Sequence, residues 1–349
     1  MRKFILFIAA AVPAVFAAGA QAQSSVTMYG VVDAFLEAGK ANFSQKRLQS
    51  GGANSSRLGF RGVEDLGDGL KAIFQIEHGL VTDTGSAASA TAFWNRQSFV
   101  GLSGAFGSVT LGRQYTPLLE SQDRNDPALN TTGYGSPYNS GVMRSFSRAD
   151  NSVRYLSPTL GGFSATVMVA AGENAGFGGN HIYSGNLRYN GGPVNVELSH
   201  GRQKPGSATQ DTKAITNLAT TYTIGDIKLM GALQKTRNDS RTQGVVDDRS
   251  EFMAGGTWQL GLGRVHAVYG QGKVDDVADS TAKHYSLAYI YELSKRTAVY
   301  TAYQVVDNPT NLAYRGATNG FSFDATTGGL PASAGVKATA LAVGVRHRF

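Results

Sequence analysis

Through 335–349, apolar residues alternate with small or basic ones: Leu341, Val343, Val345 and Phe349 share one face, opposite small or basic side chains. A period of two places successive side chains on opposite faces of a strand. One apolar and one polar face is the pattern of a barrel wall between lipid and water. The same alternation runs through 26–38. There Val26, Met28, Gly30, Val32, Ala34 and Leu36 hold one face, while Thr27, Tyr29, Asp33 and Phe35 belong to the other. A polar interval with Gly51-Gly52 separates this strand from the next, where Leu58 and Phe60 oppose Arg57 and Arg61. After a turn at 65–69, Leu70, Ala72, Phe74 and Ile76 oppose Lys71, Gln75 and Glu77.

Further strands are predicted at 91–103, 107–113, 151–157, 163–170, 180–189, 193–202, 213–224, 226–238, 250–259, 262–272, 281–291, 296–305 and 336–349. The total is about sixteen, an even number suited to an antiparallel barrel. Tight connections, such as Asn190-Gly191-Gly192-Pro193 and Leu260-Gly261-Leu262-Gly263, alternate with longer ones. Short turns at one rim and long loops at the other are expected of a barrel inserted from the periplasm. The longest early connection, about 114–150, is too polar for a core strand, and Pro117, Pro127 and Pro137 break any long helix in it.

The N-terminus changes the compartment. Arg2 and Lys3 precede an apolar region from Phe4 to Phe16, and Ala20-Gln21-Ala22 supplies a small-x-small site. Residues 1–22 therefore read as a signal peptide, leaving 23–349 as a single barrel domain. No later stretch of about 18 apolar residues offers a spanning helix. With no cysteine, disulfide scaffolds and thiolate metal sites are both excluded. The 44 glycines and 15 tyrosines favour turns and interfacial aromatic positions. Arg2 and Lys3 account for two of the formal +7, so the processed chain carries +5, dispersed and without a nucleic-acid-binding arm. A surplus of this kind suits a lumen that favours anions.

Five segments carry a resemblance: Ser25-Val26-Thr27-Met28-Tyr29-Gly30-Val31-Val32-Asp33, Ser56-Arg57-Leu58-Gly59-Phe60-Arg61-Gly62-Val63-Glu64-Asp65-Leu66-Gly67, Leu111-Gly112-Arg113-Gln114, Leu293-Ser294-Lys295-Arg296-Thr297 and Gly344-Val345-Arg346-His347-Arg348-Phe349. In this order they resemble the general porins of β-proteobacteria, close to the anion-selective Comamonas and Bordetella type. The resemblance implies a 16-stranded transmembrane β-barrel that assembles as a homotrimer in the outer membrane, among its lipids and lipopolysaccharide. It also implies a third extracellular loop, here 114–150, folded inward to narrow the pore. Arg57, Arg96 and Arg148 match the basic wall opposite that loop, and Glu77 an acidic wall position. Phe349 matches the terminal aromatic read by the barrel assembly machinery.

Residue parity adds detail. Arg57 faces water opposite Leu58 and Phe60, where a guanidinium can steer phosphate, sulfate or carboxylate solutes. Arg61, Lys71 and Gln75 are further lumen candidates, and Arg113 suits the lumen or a subunit contact. In Trp94-Asn95-Arg96-Gln97-Ser98-Phe99, Phe99 is expected to face lipid and Arg96 and Ser98 the lumen. Arg148 also fits an external loop charge, with Arg144 and Arg154 as nearby alternatives. Asp123 and Asp126 supply acidic groups on the inward loop, opposite the arginines. Tyr115, Tyr134 and Tyr138 either pack that loop or border the pore.

No cofactor, metal or energy source is implied, and solutes, chiefly small hydrophilic anions, would move by passive diffusion. A barrel enzyme is the contrasting class. However, the six histidines are dispersed, and neither HExxH nor G-x-S-x-G occurs. A structural or adhesive barrel and a substrate-specific anion or carboxylate channel stay open as alternatives.

Overall fold

The structure is a computed structural model describing residues 24–128, 135–172, 181–204, 212–239, 248–310 and 334–349. The signal segment, Tyr134 and most of the longer connections after 170 lie outside the described residues. The first part of the wall comprises β1 (Ser25–Lys40), β2 (Ser44–Ser50), β3 (Arg57–Gly67), β4 (Leu70–Val81), β5 (Ser86–Ala87), β6 (Gln97–Gly104) and β7 (Gly107–Tyr115). A helix, α1 (Pro117–Asn125), precedes β8 (Arg148–Leu156), β9 (Phe163–Ala170), β10 (His181–Gly191), β11 (Val194–Lys204) and β12 (Thr212–Ile224). The wall continues as β13 (Ile227–Asp239), β14 (Arg249–Leu260), β15 (Gly263–Val274), β16 (Ala282–Glu292), β17 (Thr297–Asp307) and β18 (Lys337–Arg348).

Successive strands pair antiparallel, and β1 pairs with β18 from Val31↔Arg348 to Lys40↔Thr339, closing the sheet. Because β2 and β3 pair with successive halves of β1, they form one interrupted wall strand. The two-residue β5 only flanks the end of β4. Counted this way, the 18 segments give a wall of sixteen strands. Apolar side chains such as Leu198, Leu218, Leu233, Leu341 and Val343 are exposed on the outer face, while alternate residues are buried inside. Closure removes the open edges that an exposed sheet would present.

Three local expectations change. The polar interval before Arg57 contains β2, whose Gln45, Lys46, Arg47 and Gln49 hide the alternation, and Arg47 pairs with Glu37 across the strands at 2.7 Å. The excursion between β2 and β3 is fastened by Asp33, whose carboxylate accepts from the backbone N–H groups of Gly52, Ala53 and Asn54 and from Tyr300 Oη. The strand expected over 91–103 begins at Gln97, because Asn95 turns back to accept from Gly79 N at 2.7 Å and Phe93 stacks on His78. Register then places Phe99 beside Gln75 on the inner face and Ser98 beside Ile76 on the outer one, reversing the expected parity.

The connection between β7 and β8 contains α1. Thr116 caps it by accepting from Leu119 N at 3.2 Å, and Pro117 occupies the first turn, where its missing N–H costs nothing. One side of α1 is joined to the wall. Ser184 accepts from Leu118 N, Gln122 donates to Gln234, and Arg124 grips Glu197 with two bonds of 2.9 and 2.8 Å.

Candidate functional site

Three wall strands bring the first group of side chains together. Tyr29 on β1, Arg57 and Arg61 on β3, and Gln75 and Glu77 on β4 share the inner face by register. Gly59 makes this possible: it lies beneath the Tyr29 ring, where an added Cβ would meet ring atoms at 2.5 Å. Tyr29 Oη donates to Glu77 Oε2 at 2.9 Å and accepts from Gln75 Nε2 at 2.7 Å. The Arg61 guanidinium stands 5.5 Å from the centre of the same ring, a cation–π distance.

Glu77 is buried and links this group to a second one. Its Oε1 accepts from Arg96 Nε at 2.7 Å, and Arg57 Nε lies 3.8 Å from Oε2. Arg96 sits just before β6, so strand parity does not govern it. It is placed by its backbone N–H, bonded to Glu77 O, and by that ion pair. Tyr115 Oη then accepts from Arg96 Nη2 at 2.6 Å and from Arg148 Nη2 at 3.3 Å. Arg148, the first residue of β8, also stacks 4.9 Å from the Tyr115 ring centre.

These residues line one cavity of about 1230 Å³, bordered also by Leu119 and Asp123 of α1 and by Arg348 and Phe349. The arginines keep donors to spare. Among the described residues, Arg57 makes only its loose ion pair and no hydrogen bond, and Arg148 Nε is buried without a partner. Burial, reinforced by Glu120, pushes the Asp123 carboxyl up to about 6, against the opposing pull of Arg124, Arg96 and Arg148. An anion entering the cavity would thus meet guanidinium N–H groups not saturated by protein acceptors.

Of the residues singled out from sequence, Arg57, Arg61, Gln75, Glu77, Arg96, Asp123 and Arg148 border this cavity, whereas Asp126, Lys71 and Arg113 do not. Asp126 is wholly buried, accepting from Ala128 N and Ser136 Oγ, so it shapes the connection instead of facing water. Lys71 points to the inner side but pairs with Asp65 and Ser103 near the short-turn rim. Arg113 shares a register position with Ser98 on the outer face, where it binds Asn95 O and Asp150. Phe349 is part-exposed, with its ring over Gly30. Sequence reasoning missed Tyr29 as the bridge between Gln75 and Glu77. Its position on the same face as Asp33 was the available signal.

Residues 9–311 match the family of Gram-negative porins. The chain belongs to that family. The porin is 35% identical to outer membrane porin protein 32 of Delftia acidovorans, with 95% of each chain covered. It is 29% identical over the full length of both chains to an outer membrane porin protein of Bordetella pertussis. Among solved structures, the anion-selective porin from Comamonas acidovorans superimposes with a TM-score of 0.80 at 31% identity, covering 94% of this porin and 100% of that one. The sixteen strands therefore form a transmembrane barrel in the outer membrane. It is a diffusion pore with arginines lining its lumen, a transport protein and not an enzyme.

Proposed function

We propose that this porin passes small hydrophilic solutes by passive diffusion with a preference for anions, selected where α1 and its flanking chain narrow the lumen. The observation that carries the reading is the meeting of Arg57, Arg96 and Arg148 on one cavity, with Asp123 of α1 bordering the same space. The bonds from α1 to Ser184, Glu197 and Gln234 support treating 114–150 as the inward third loop. Arg57 is the selective arginine, because its guanidinium is the least engaged by protein partners. Asp123 and Glu77 supply the opposing charge, giving a transverse field that turns charged or dipolar solutes as they pass.

The same reading makes residues 1–22 a cleaved export signal, 23–349 one domain, Phe349 an assembly signal and the working unit a homotrimer. The export signal and the single domain rest on the residue pattern at 1–22, and the assembly signal and the trimer on the family resemblance. The test is the reversal potential of purified, refolded protein in a planar bilayer under a potassium chloride gradient, compared with Arg57→Ala. A chloride-favouring potential that weakens in the variant supports the assignment. A cation-favouring potential that the variant leaves unchanged overturns it.

A further inference from the structure

Between β2 and β3 the chain leaves the plane of the wall. Gly51 N donates to Asp33 O at 3.0 Å, and Ser56 Oγ accepts from Asp33 N at 3.0 Å and donates to Asp33 O at 3.1 Å. The chain thus departs and returns opposite one residue of β1, and 51–55 are extra to the sheet. A one-residue bulge only kinks a strand, whereas an insertion of this length has to lie against one face of the wall.

That face is the inner one. A Cβ on Gly52 would collide with Tyr300 Oη and the Phe35 ring, so glycine lets the backbone lie down on these two buried side chains. Ala53 is buried in one cluster with Ala298 and Ala342, small residues of β17 and β18 that leave room above them. Asn54 reaches β18, where its Oδ1 accepts from Arg346 Nη1 at 3.3 Å and Arg348 Nη2 at 3.1 Å. One carboxylate fastens the segment. Three successive N–H groups, of Gly52, Ala53 and Asn54, end on the wholly buried Asp33, and Tyr300 Oη adds a fourth bond. Those backbone donors have left the sheet and need such an acceptor inside the barrel.

The position of the segment matters for the pore. The helix α1 is bonded to β10, β11 and β13 through Ser184, Glu197 and Gln234, whereas 51–55 lie over β1, β17 and β18. In a closed ring of sixteen strands these two groups face each other across the lumen. Both border the same cavity, α1 by Leu119 and Asp123, and the excursion by Ala53, Asn54 and the exposed Ser55.

We propose that 51–55 form a second constricting element, with Asp33 as its positioning residue, so that the lumen is narrowed from opposite walls and the tip at Asn54 and Ser55 limits the size of solute that passes. The tip is uncharged, so the element acts on size, and its test does not depend on which ion the pore prefers.

The chain has no cysteine, so Ser55→Cys supplies a single thiol. The refolded variant is reacted in a planar bilayer with an uncharged maleimide carrying a short ethylene glycol chain, while single-channel conductance is followed and labelling is checked by mass spectrometry. Ser44→Cys, at the exposed start of β2 and outside the cavity, is the control. Labelling should lower the conductance of Ser55→Cys by about a third or more and leave that of Ser44→Cys unchanged. Complete labelling of Ser55→Cys without loss of conductance would overturn the proposal, as would a thiol that the reagent does not reach in the folded barrel. Asp33→Asn tests the anchor, since it turns one acceptor oxygen into a donor that the N–H groups of 52–54 cannot use. The variant, shown to be folded by heat-modifiable gel mobility, should admit polyethylene glycols about twofold larger in mass than the unaltered pore does. An unchanged exclusion limit in the folded variant would overturn Asp33 as the positioning residue.

Discussion

Replacing Glu77 with glutamine removes a carboxylate wedged between Arg57 and Arg96 while keeping one acceptor oxygen for Arg96 Nε; the new amide nitrogen faces Tyr29 Oη, which can accept from it in place of donating. The wall geometry is therefore expected to persist, and the change is chiefly one of charge. An anion held at Arg57 passes close to Glu77, since Arg57 itself stands 3.8 Å from Oε2. Unit charges ~4 Å apart in a water-like medium interact by about 1 kcal/mol. Removing that repulsion should raise the chloride-to-potassium permeability ratio about fivefold, because 1.4 kcal/mol corresponds to tenfold. The reversal potential in a potassium chloride gradient measures the ratio directly, and single-channel conductance shows whether the pore keeps its width. An unchanged or lower ratio at normal conductance would refute the reasoning. It would mean that Glu77 aids anions by orienting Arg57 and Arg96 more than it opposes them by charge.

Asp123, with its carboxyl raised to about 6, should lose its charge as pH falls from 7 to 5. Protonation removes a negative group from the cavity, so chloride preference should rise over that interval, and Asp123→Asn should show the high preference at both pH values. Glu197→Gln leaves Arg124 and Arg188 without their shared carboxylate. Breaking such a pair costs up to about 3 kcal/mol, less the solvent screening at part-exposed Arg124. The voltage at which the channel closes should fall, and an unaltered threshold would show that Glu197 does not hold α1. Gly59→Ala puts a Cβ into the Tyr29 ring, an overpacking worth ~1–3 kcal/mol, and should lower the urea midpoint of the refolded barrel. Phe349→Ala should slow insertion in a reconstituted assembly assay, and normal kinetics would count against a role for the terminal aromatic.

The wall was legible in the chain because lipid outside and water inside enforce a period of two. Leu70 to Glu77 and Leu341 to Val345 show it plainly. The alternation is masked in β2, where Lys46 stands beside Leu48 on the outer face and Gln45, Arg47 and Gln49 fill the inner one. Arg96 could be named from family likeness but not oriented by parity, since it lies off the strand and is held by Glu77. Asp126 illustrates the opposite failure. A carboxylate in a polar loop reads as solvent-facing, yet Ser136 and the Ala128 N–H satisfy it in the interior. The helix α1 had a local signal in Thr116-Pro117, a cap followed by a first-turn proline, obscured by the neighbouring prolines. Tyr115 was left undecided between packing and pore, and it does both, receiving Arg96 and Arg148 at the cavity edge.

The seam between β1 and β18 also governs when the barrel can exist. Val31 meets Arg348 and Lys40 meets Thr339, so the contacts that close the wall join residues about 300 positions apart in the chain. Until those partners meet, β1 and β18 each present a free sheet edge able to recruit another chain. Contacts of such sequence separation are reached slowly, after a large loss of chain entropy. The polypeptide must therefore be made and delivered entire before it can seal. A copy cut short before β18 keeps its hairpins but leaves β1 exposed as a site for aggregation.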